Sequence, residues 1–324
     1  MARLDPFAPA DGCSSVRKGC LDMVNGRCIF YGESDKRDYV LSCEHRFECA
    51  IDDAVAAVVR DRDCRMVTLS GPTCSGKTTT ANKLVKDLTA EGRKVHVISI
   101  DDYYYDRDRL MEIARKNGDE IDFDSPITID IDTLRRTVDA ISEGREVFVP
   151  KYDFKSGRRS GFEKYQTDES DTFIFEGIQA VYPNVKALLG GHDYLSIFIS
   201  VENGLLLDGR CFSNEEIRFY RRLVRDYNFR NASPEFTFNI WESVRENEEE
   251  NILPNSADCD VRLDSLLPYE LSMIKPYLLP LLAQIERDSK YYGTAQRARE
   301  RLDGIEVISR DFMPENSVYR EFLG

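Results

Sequence analysis

No stretch of about 18 consecutive apolar residues occurs in this chain, so no membrane-spanning helix is expected. The first residues, Met1-Ala2-Arg3-Leu4-Asp5-Pro6, lack an apolar segment, and no secretory signal is expected either. Positive charge is scarce: 44 Lys and Arg stand against 58 Asp and Glu, for a net charge of −14. This argues against general affinity for a nucleic-acid backbone or an anionic membrane. Histidine is rare, and His45, His96 and His192 form no catalytic set. The nine cysteines are odd in number and scattered; Cys13, Cys20, Cys28, Cys43 and Cys49 crowd the N-terminal part without forming a C-x-x-C pair. Reduced thiols in a cytoplasmic protein are the simplest reading, and a zinc site among those five is disfavoured. No internal repeat or low-complexity tract is visible. What is present is 42% hydrophobic and 31% charged residues over 324 positions, the balance of a globular protein.

Residues 71–78 read Gly71-Pro72-Thr73-Cys74-Ser75-Gly76-Lys77-Thr78. They match the phosphate-binding pattern G-x-x-x-x-G-K-[ST] without a mismatch. Met66-Val67-Thr68-Leu69 before it can form a buried strand, and Leu84, Val85 and Leu88 after it fall at helical spacing. In that context the two glycines turn backbone N–H groups toward an anion at the positive end of a helix. Residues 71–79, including Thr79, are the expected ATP-binding loop. Lys77 is expected to reach the β- and γ-phosphates, and the Thr78 hydroxyl to bind Mg²⁺. Cys74, beside Lys77 and a helix N-terminus, is either an activated thiol or a small side chain filling the loop.

Three segments are expected: an N-terminal extension over 1–60, a main domain over 61–290 and a docking tail over 291–324. In the extension, residues 27–32 and 39–43 are expected to pair as a hairpin, and 47–60 to form a helix with Phe47, Ile51, Val55 and Val58 on one face. Strands are expected at 66–69, 94–100, 146–149, 172–177 and 194–201. Helices are expected near 108–117, 131–143, 183–189 and 214–229. The alternation predicts an α/β fold: a three-layer P-loop NTPase architecture with a mostly parallel sheet, helices on both faces and a helical lid. Ligands of such sheets lie at the carboxyl ends of the strands.

Two strands end in candidate chemistry. After 95–100 comes Asp101-Asp102-Tyr103-Tyr104. One of the two aspartates is suited to accept a hydroxyl proton during phosphoryl transfer. Glu176, ending Phe173-Ile174-Phe175, is placed to bind Mg²⁺ directly or through water. Ser213-Asn214-Glu215-Glu216 forms a capping box, and Arg218, Arg221, Arg222 and Arg225 then share one helical stripe, with Arg230 beyond. The stripe either faces bound phosphates or is a solvated face neutralised by Glu215, Glu216 and other carboxylates. The basic loop 151–159 carries Tyr152 and Phe154, able to stack on a flat ring. The 246–250 acidic run reads as a solvated helix end, and Trp241 as core.

Taken in order, the phosphate loop, Ser99-Ile100-Asp101-Asp102-Tyr103-Tyr104, Phe123-Asp124-Ser125-Pro126, Val149-Pro150-Lys151-Tyr152-Asp153-Phe154, Phe175-Glu176-Gly177-Ile178 and Arg221-Arg222-Leu223-Val224-Arg225-Asp226 resemble the uridine kinase branch of the phosphoribulokinase/uridine kinase family over roughly 65–265. The resemblance implies ATP- and Mg²⁺-dependent phosphorylation of a nucleoside 5′-hydroxyl, a small-molecule acceptor, with homo-oligomers left open. It assigns the base to Asp101, which also joins Thr78 and Glu176 as a metal candidate, and charge balance to Lys77 and Arg225. It places Arg221 and Arg225 by ATP, and Tyr103, Asp124, Tyr152, Arg222 and Arg230 by the acceptor. Two positions depart from the pyrimidine kinases: Gly157 stands where they carry a base-reading histidine, and Arg230-Asn231-Ala232 replaces Arg-Gly-Arg. A kinase of another small alcohol, or a nucleotide-binding regulatory protein, remain the alternatives.

Overall fold

The computed structural model describes residues 32–60, 64–117, 125–168 and 171–324, together with the backbone of three two-residue strands, β1 (Val16–Arg17), β2 (Met23–Val24) and β3 (Arg27–Cys28). Then follow α1 (Glu33–Arg60), β4 (Met66–Ser70), α2 (Lys77–Ala90), β5 (Lys94–Ser99), α3 (Arg107–Asn117) and α4 (Ile131–Ser142). Next come β6 (Val147–Asp153), β7 (Arg158–Tyr165), β8 (Asp171–Glu176), α5 (Pro183–Leu189) and β9 (Tyr194–Ser200). The remainder is β10 (Gly204–Leu207), β11 (Arg210–Phe212), α6 (Asn214–Arg230), α7 (Pro234–Asn247), β12 (Val261–Asp264), α8 (Glu270–Leu282), α9 (Tyr292–Leu302) and α10 (Arg320–Leu323).

The central sheet has the order β12-β9-β4-β8-β5, and every pairing in it is parallel. Its middle strands are apolar throughout because both faces are covered. Alternation along each strand divides the side chains between two cores. Val67, Leu69, Ile174, Ile197 and Ile199 join α1, α2, α6 and α8 on one face. Met66, Phe173, Phe175 and Phe198 join α4 and α5 on the other. The carboxyl ends of β4, β5 and β8 lie side by side, so the residues leaving them converge.

Two expectations about strands are corrected. Residues 39–43 are helical, within α1, not a hairpin strand. Tyr39, Cys43, Phe47, Ile51 and Val55 recur every four residues and are all buried, so the apolar stripe continues one helix through a stretch that looks strand-like by composition. The strand at 146–149 belongs to a separate antiparallel ribbon, β6–β7, outside the parallel sheet. Its turn closes at Gly157, whose N–H donates to the Asp153 carbonyl at 2.7 Å. Among the described residues no helix is long and apolar enough to cross a membrane.

Candidate active site

The phosphate loop leaves β4 and enters α2. Gly71 sits so close to the Ile199 carbonyl that a Cβ would collide with it, and Gly76 has φ of 92° in the left-handed region. These are the positions where the turn needs glycine. Lys77 Nζ donates to the Gly71 and Pro72 carbonyls at 2.9 and 3.0 Å, folded along its own loop. Thr73, Cys74, Lys77 and Thr78 line a cavity of about 400 Å³, within the range of small-ligand sites. Cys74 is buried, with φ of 58°.

The neighbouring strand ends deliver two carboxylates to the same cavity. After β5 the chain makes a 3₁₀ turn over Ile100–Tyr103. Residues i and i+3 of such a turn share a side, so Asp101 and Tyr104 both face the cavity. Gln179 ties them together: its Nε2 donates to Asp101 Oδ1 at 2.6 Å and to the Tyr104 hydroxyl at 2.7 Å. Burial pushes the Asp101 carboxyl above its ordinary 3.8, against the Gln179 hydrogen bond and the charge of Lys77. Asp102 turns away, accepting the Tyr152 N–H at 2.9 Å and pairing with Lys151 at 3.4 Å, so it anchors the ribbon. Glu176, at the end of β8, is also raised above its ordinary 4.5, by burial and by the like charges of Asp101 and Glu321, with Lys77 opposing.

Tyr152 and Phe154 of the ribbon and Tyr104 form an aromatic wall, with ring centres 5.1 to 6.3 Å apart and edge-to-face. Beside it, the space next to Gly157 (φ 68°) is filled by the Arg107 side chain; a Cβ at 157 would lie 2.8 Å from Arg107 Nε. Arg107 lines the cavity. It therefore fills the space beside Gly157, the position at which the resemblance leads one to expect a histidine.

The arginine stripe divides. Arg222, Arg225 and Arg230 line the cavity and gather around Asp226 at 3.2, 2.7 and 3.6 Å. Arg222 Nη1 also donates to the Thr73 hydroxyl at 3.0 Å. Arg218 and Arg221 face inward. Arg218 makes a bidentate pair with Glu248 at 2.7 and 2.8 Å. Arg221, fully buried, pairs with Glu270 at 2.6 and 2.9 Å. The carboxylates that neutralise these two are thus Glu248 and Glu270, not Glu215 and Glu216.

Three further expectations change. Arg221 does not line the cavity; it holds the loop from behind, through a hydrogen bond to the Cys74 carbonyl at 3.2 Å. Tyr103 points into the core and donates to Thr137 at 3.0 Å, so Tyr104 is the tyrosine at the site. Glu248, within the run taken for a solvated helix end, is buried and accepts the Thr73 N–H at 3.1 Å. Asp124 lies outside the described residues.

Mg²⁺ can be tested against the side chains present. Among the described residues the Glu176 carboxylate has no hydrogen-bond or ion-pair partner, yet it faces the cavity beside Thr78. No group of three His, Cys, Asp or Glu able to hold a metal exists among the described residues. That combination fits magnesium, which takes one or two protein ligands and completes its shell with phosphate oxygens and water.

Parallel sheet, glycine loop and carboxylates at the two adjacent strand ends define the class of P-loop kinases. The chain belongs to the phosphoribulokinase/uridine kinase family, whose model matches residues 66–271. It is 30% identical over 197 residues to a uridine kinase of Staphylococcus epidermidis, covering 60% of this chain and 85% of that protein. Among solved structures it resembles a Bacillus stearothermophilus protein described as a possible uridine kinase (18% identity, 68% of this chain, 100% of that one, TM-score 0.45). It also resembles a D-glycerate 3-kinase from Cryptococcus neoformans (14% identity, 69% and 87%, TM-score 0.40).

Proposed function

We propose that this kinase transfers the γ-phosphoryl group of ATP to the 5′-hydroxyl of uridine or a related nucleoside. The observation that carries the reading is the joint placement of Asp101 and Lys77 in one cavity walled by Tyr104, Tyr152 and Phe154. A phosphate loop serves the donor. The aromatic wall offers a flat apolar face for an acceptor ring, and Asp101 lies between the two. Asp101 takes the acceptor's hydroxyl proton as the oxygen attacks, and Gln179 fixes the carboxylate that receives it. Lys77, Arg222 and Arg225 balance charge on the transferring group, a preorganised electrostatic contribution. Thr78 and Glu176 would hold magnesium, which neutralises phosphate charge when bound. Arg230, at the cavity rim, completes the positive side. Arg107 beside Gly157, where the resemblance leads one to expect a histidine, leaves a guanidinium to read the acceptor, so selectivity within the nucleosides is expected to differ from kinases that carry the histidine.

The test is a panel of acceptors with ATP and Mg²⁺, scored by ADP release. Uridine and other nucleosides should stimulate release. Stimulation by D-glycerate, ribulose 5-phosphate or pantothenate alone would move the protein to another acceptor class, and no acceptor-dependent ADP would favour a regulatory nucleotide-binding role.

A further inference from the structure

The last eight residues close over the donor side of the cavity, and they lie outside the family match. Val318 packs against Gly76, at the entry to α2, so tightly that no side chain fits at position 76. Three residues on, Glu321 reaches the cavity that Lys77, Thr78 and Glu176 line. Its Oε2 accepts from the Thr79 hydroxyl at 3.4 Å.

Packing fixes this strap in place. The Ser317 hydroxyl donates to Glu44 of α1. Tyr319 and Phe322 are fully buried. The Arg221 guanidinium of α6 lies 5.1 Å from the Phe322 ring centre and 5.7 Å from that of Tyr319. Asn228 of α6 donates to the Phe322 carbonyl at 3.5 Å. The strap therefore spans α1, the start of α2 and the arginine helix, and the Glu321 carboxylate is held in position rather than carried on a loose end. Its charge is felt by Glu176, of the same sign, and by Arg225, of the opposite sign.

We propose that Glu321, carried by the C-terminal strap, makes the donor site selective for the magnesium complex of a nucleotide over the free nucleotide. The proposal rests on the reading of the cavity as a nucleotide-donor site. A free di- or triphosphate brings several negative charges toward two fixed carboxylates, Glu176 and Glu321. A divalent cation between phosphates and carboxylates turns that repulsion into attraction. Glu321 acts here as a positioning residue: it sets the charge of the site and the place of Thr79, and takes no proton in the reaction.

Calorimetric titration of the full-length protein with ADP, once with Mg²⁺ and once with EDTA, tests this. The wild type should bind Mg·ADP more tightly than free ADP. Glu321→Gln, which keeps an acceptor for Thr79 but removes the charge, should narrow that ratio by about three- to tenfold, the scale of one unit charge several ångströms away across a cavity screened as bulk water screens. The narrowing should come mainly from tighter binding of free ADP. Glu321→Asp, which keeps the charge, should retain most of the ratio. A role confined to packing predicts that the Gln variant weakens both forms equally, and an unchanged ratio overturns the proposal. If the Gln variant fails to fold, Glu321→Ala carries the same comparison. Absence of ADP binding by the wild type under both conditions would refute the donor-site reading itself.

Discussion

At the residue scale the site turns on Asp101. Its carboxylate combines three properties: burial, a fixed hydrogen bond from Gln179 and a place at the cavity wall beside Lys77. Asp101→Asn should lower kcat by about 10²–10⁴, the usual loss of a positioned base, while ATP binding persists. Because burial raises the Asp101 carboxyl above 3.8, its basic form is lost at a higher pH than for an ordinary aspartate. The acid limb of the kcat/KM profile should be displaced upward accordingly and be missing from the residual activity of the Asn variant. An Asn variant that keeps the limb would assign the proton to another group. That only one of Asp101 and Asp102 would face the cavity was legible, because adjacent strand side chains diverge. Tyr103, expected by the acceptor, is replaced there by Tyr104, because the backbone past Ser99 makes a 3₁₀ turn that sets Asp101 and Tyr104 on one side. Gln179 had no local signature at all: it meets Asp101 from 78 residues away in sequence.

At the element scale, α6 is the clearest case of a pattern whose period could be read and whose partners could not. Half of the expected capping box forms: the Ser213 hydroxyl accepts from the Glu216 N–H at 3.1 Å, while the Glu216 carboxylate accepts from Tyr220 and Arg301 instead of reaching back. The stripe 218–225 is real, but only part of it meets the cavity. Arg221 finds Glu270 49 residues on, and Arg218 finds Glu248 in a run that looked solvated. Long-range pairing of this kind leaves no trace in spacing. Glu270→Ala would strand a fully buried guanidinium, so urea unfolding should show a loss of about 3–5 kcal/mol; a change near zero would contradict the pairing described. The loop entering α2 makes a second stability claim. Gly76→Ala should cost at least about 1–2 kcal/mol for the left-handed backbone, plus displacement of Val318, and should lower the melting temperature. An unchanged melting temperature would mean that the loop does not hold this conformation in solution.

At the scale of the whole molecule, five parallel strands bring the phosphate loop, Asp101 and Glu176 to one edge, and the remaining parts are laid around that edge. Four of the five strands were legible because buried strands read as short apolar runs between helical patterns; the edge strand β12, whose run Val261-Arg262-Leu263-Asp264 is interrupted by charge, was not. The ribbon β6–β7 was not, since a strand alone does not name its neighbour. The long α1 was read only in its second half, and the closing strap was read as a docking tail without its destination. The ribbon supplies the aromatic wall and the strap supplies Glu321, so the elements hardest to place from the sequence are those that shape the two ends of the cavity. The central claim is that a phosphoryl group passes from ATP to a nucleoside 5′-oxygen under Asp101. Phosphorus NMR of a reaction containing ATP, Mg²⁺ and uridine measures it directly. The account predicts a new phosphomonoester resonance coupled to the 5′-methylene protons, growing as ADP appears and nearly abolished in Asp101→Asn; ADP accompanied only by inorganic phosphate, or an equal product yield from the Asn variant, would contradict it.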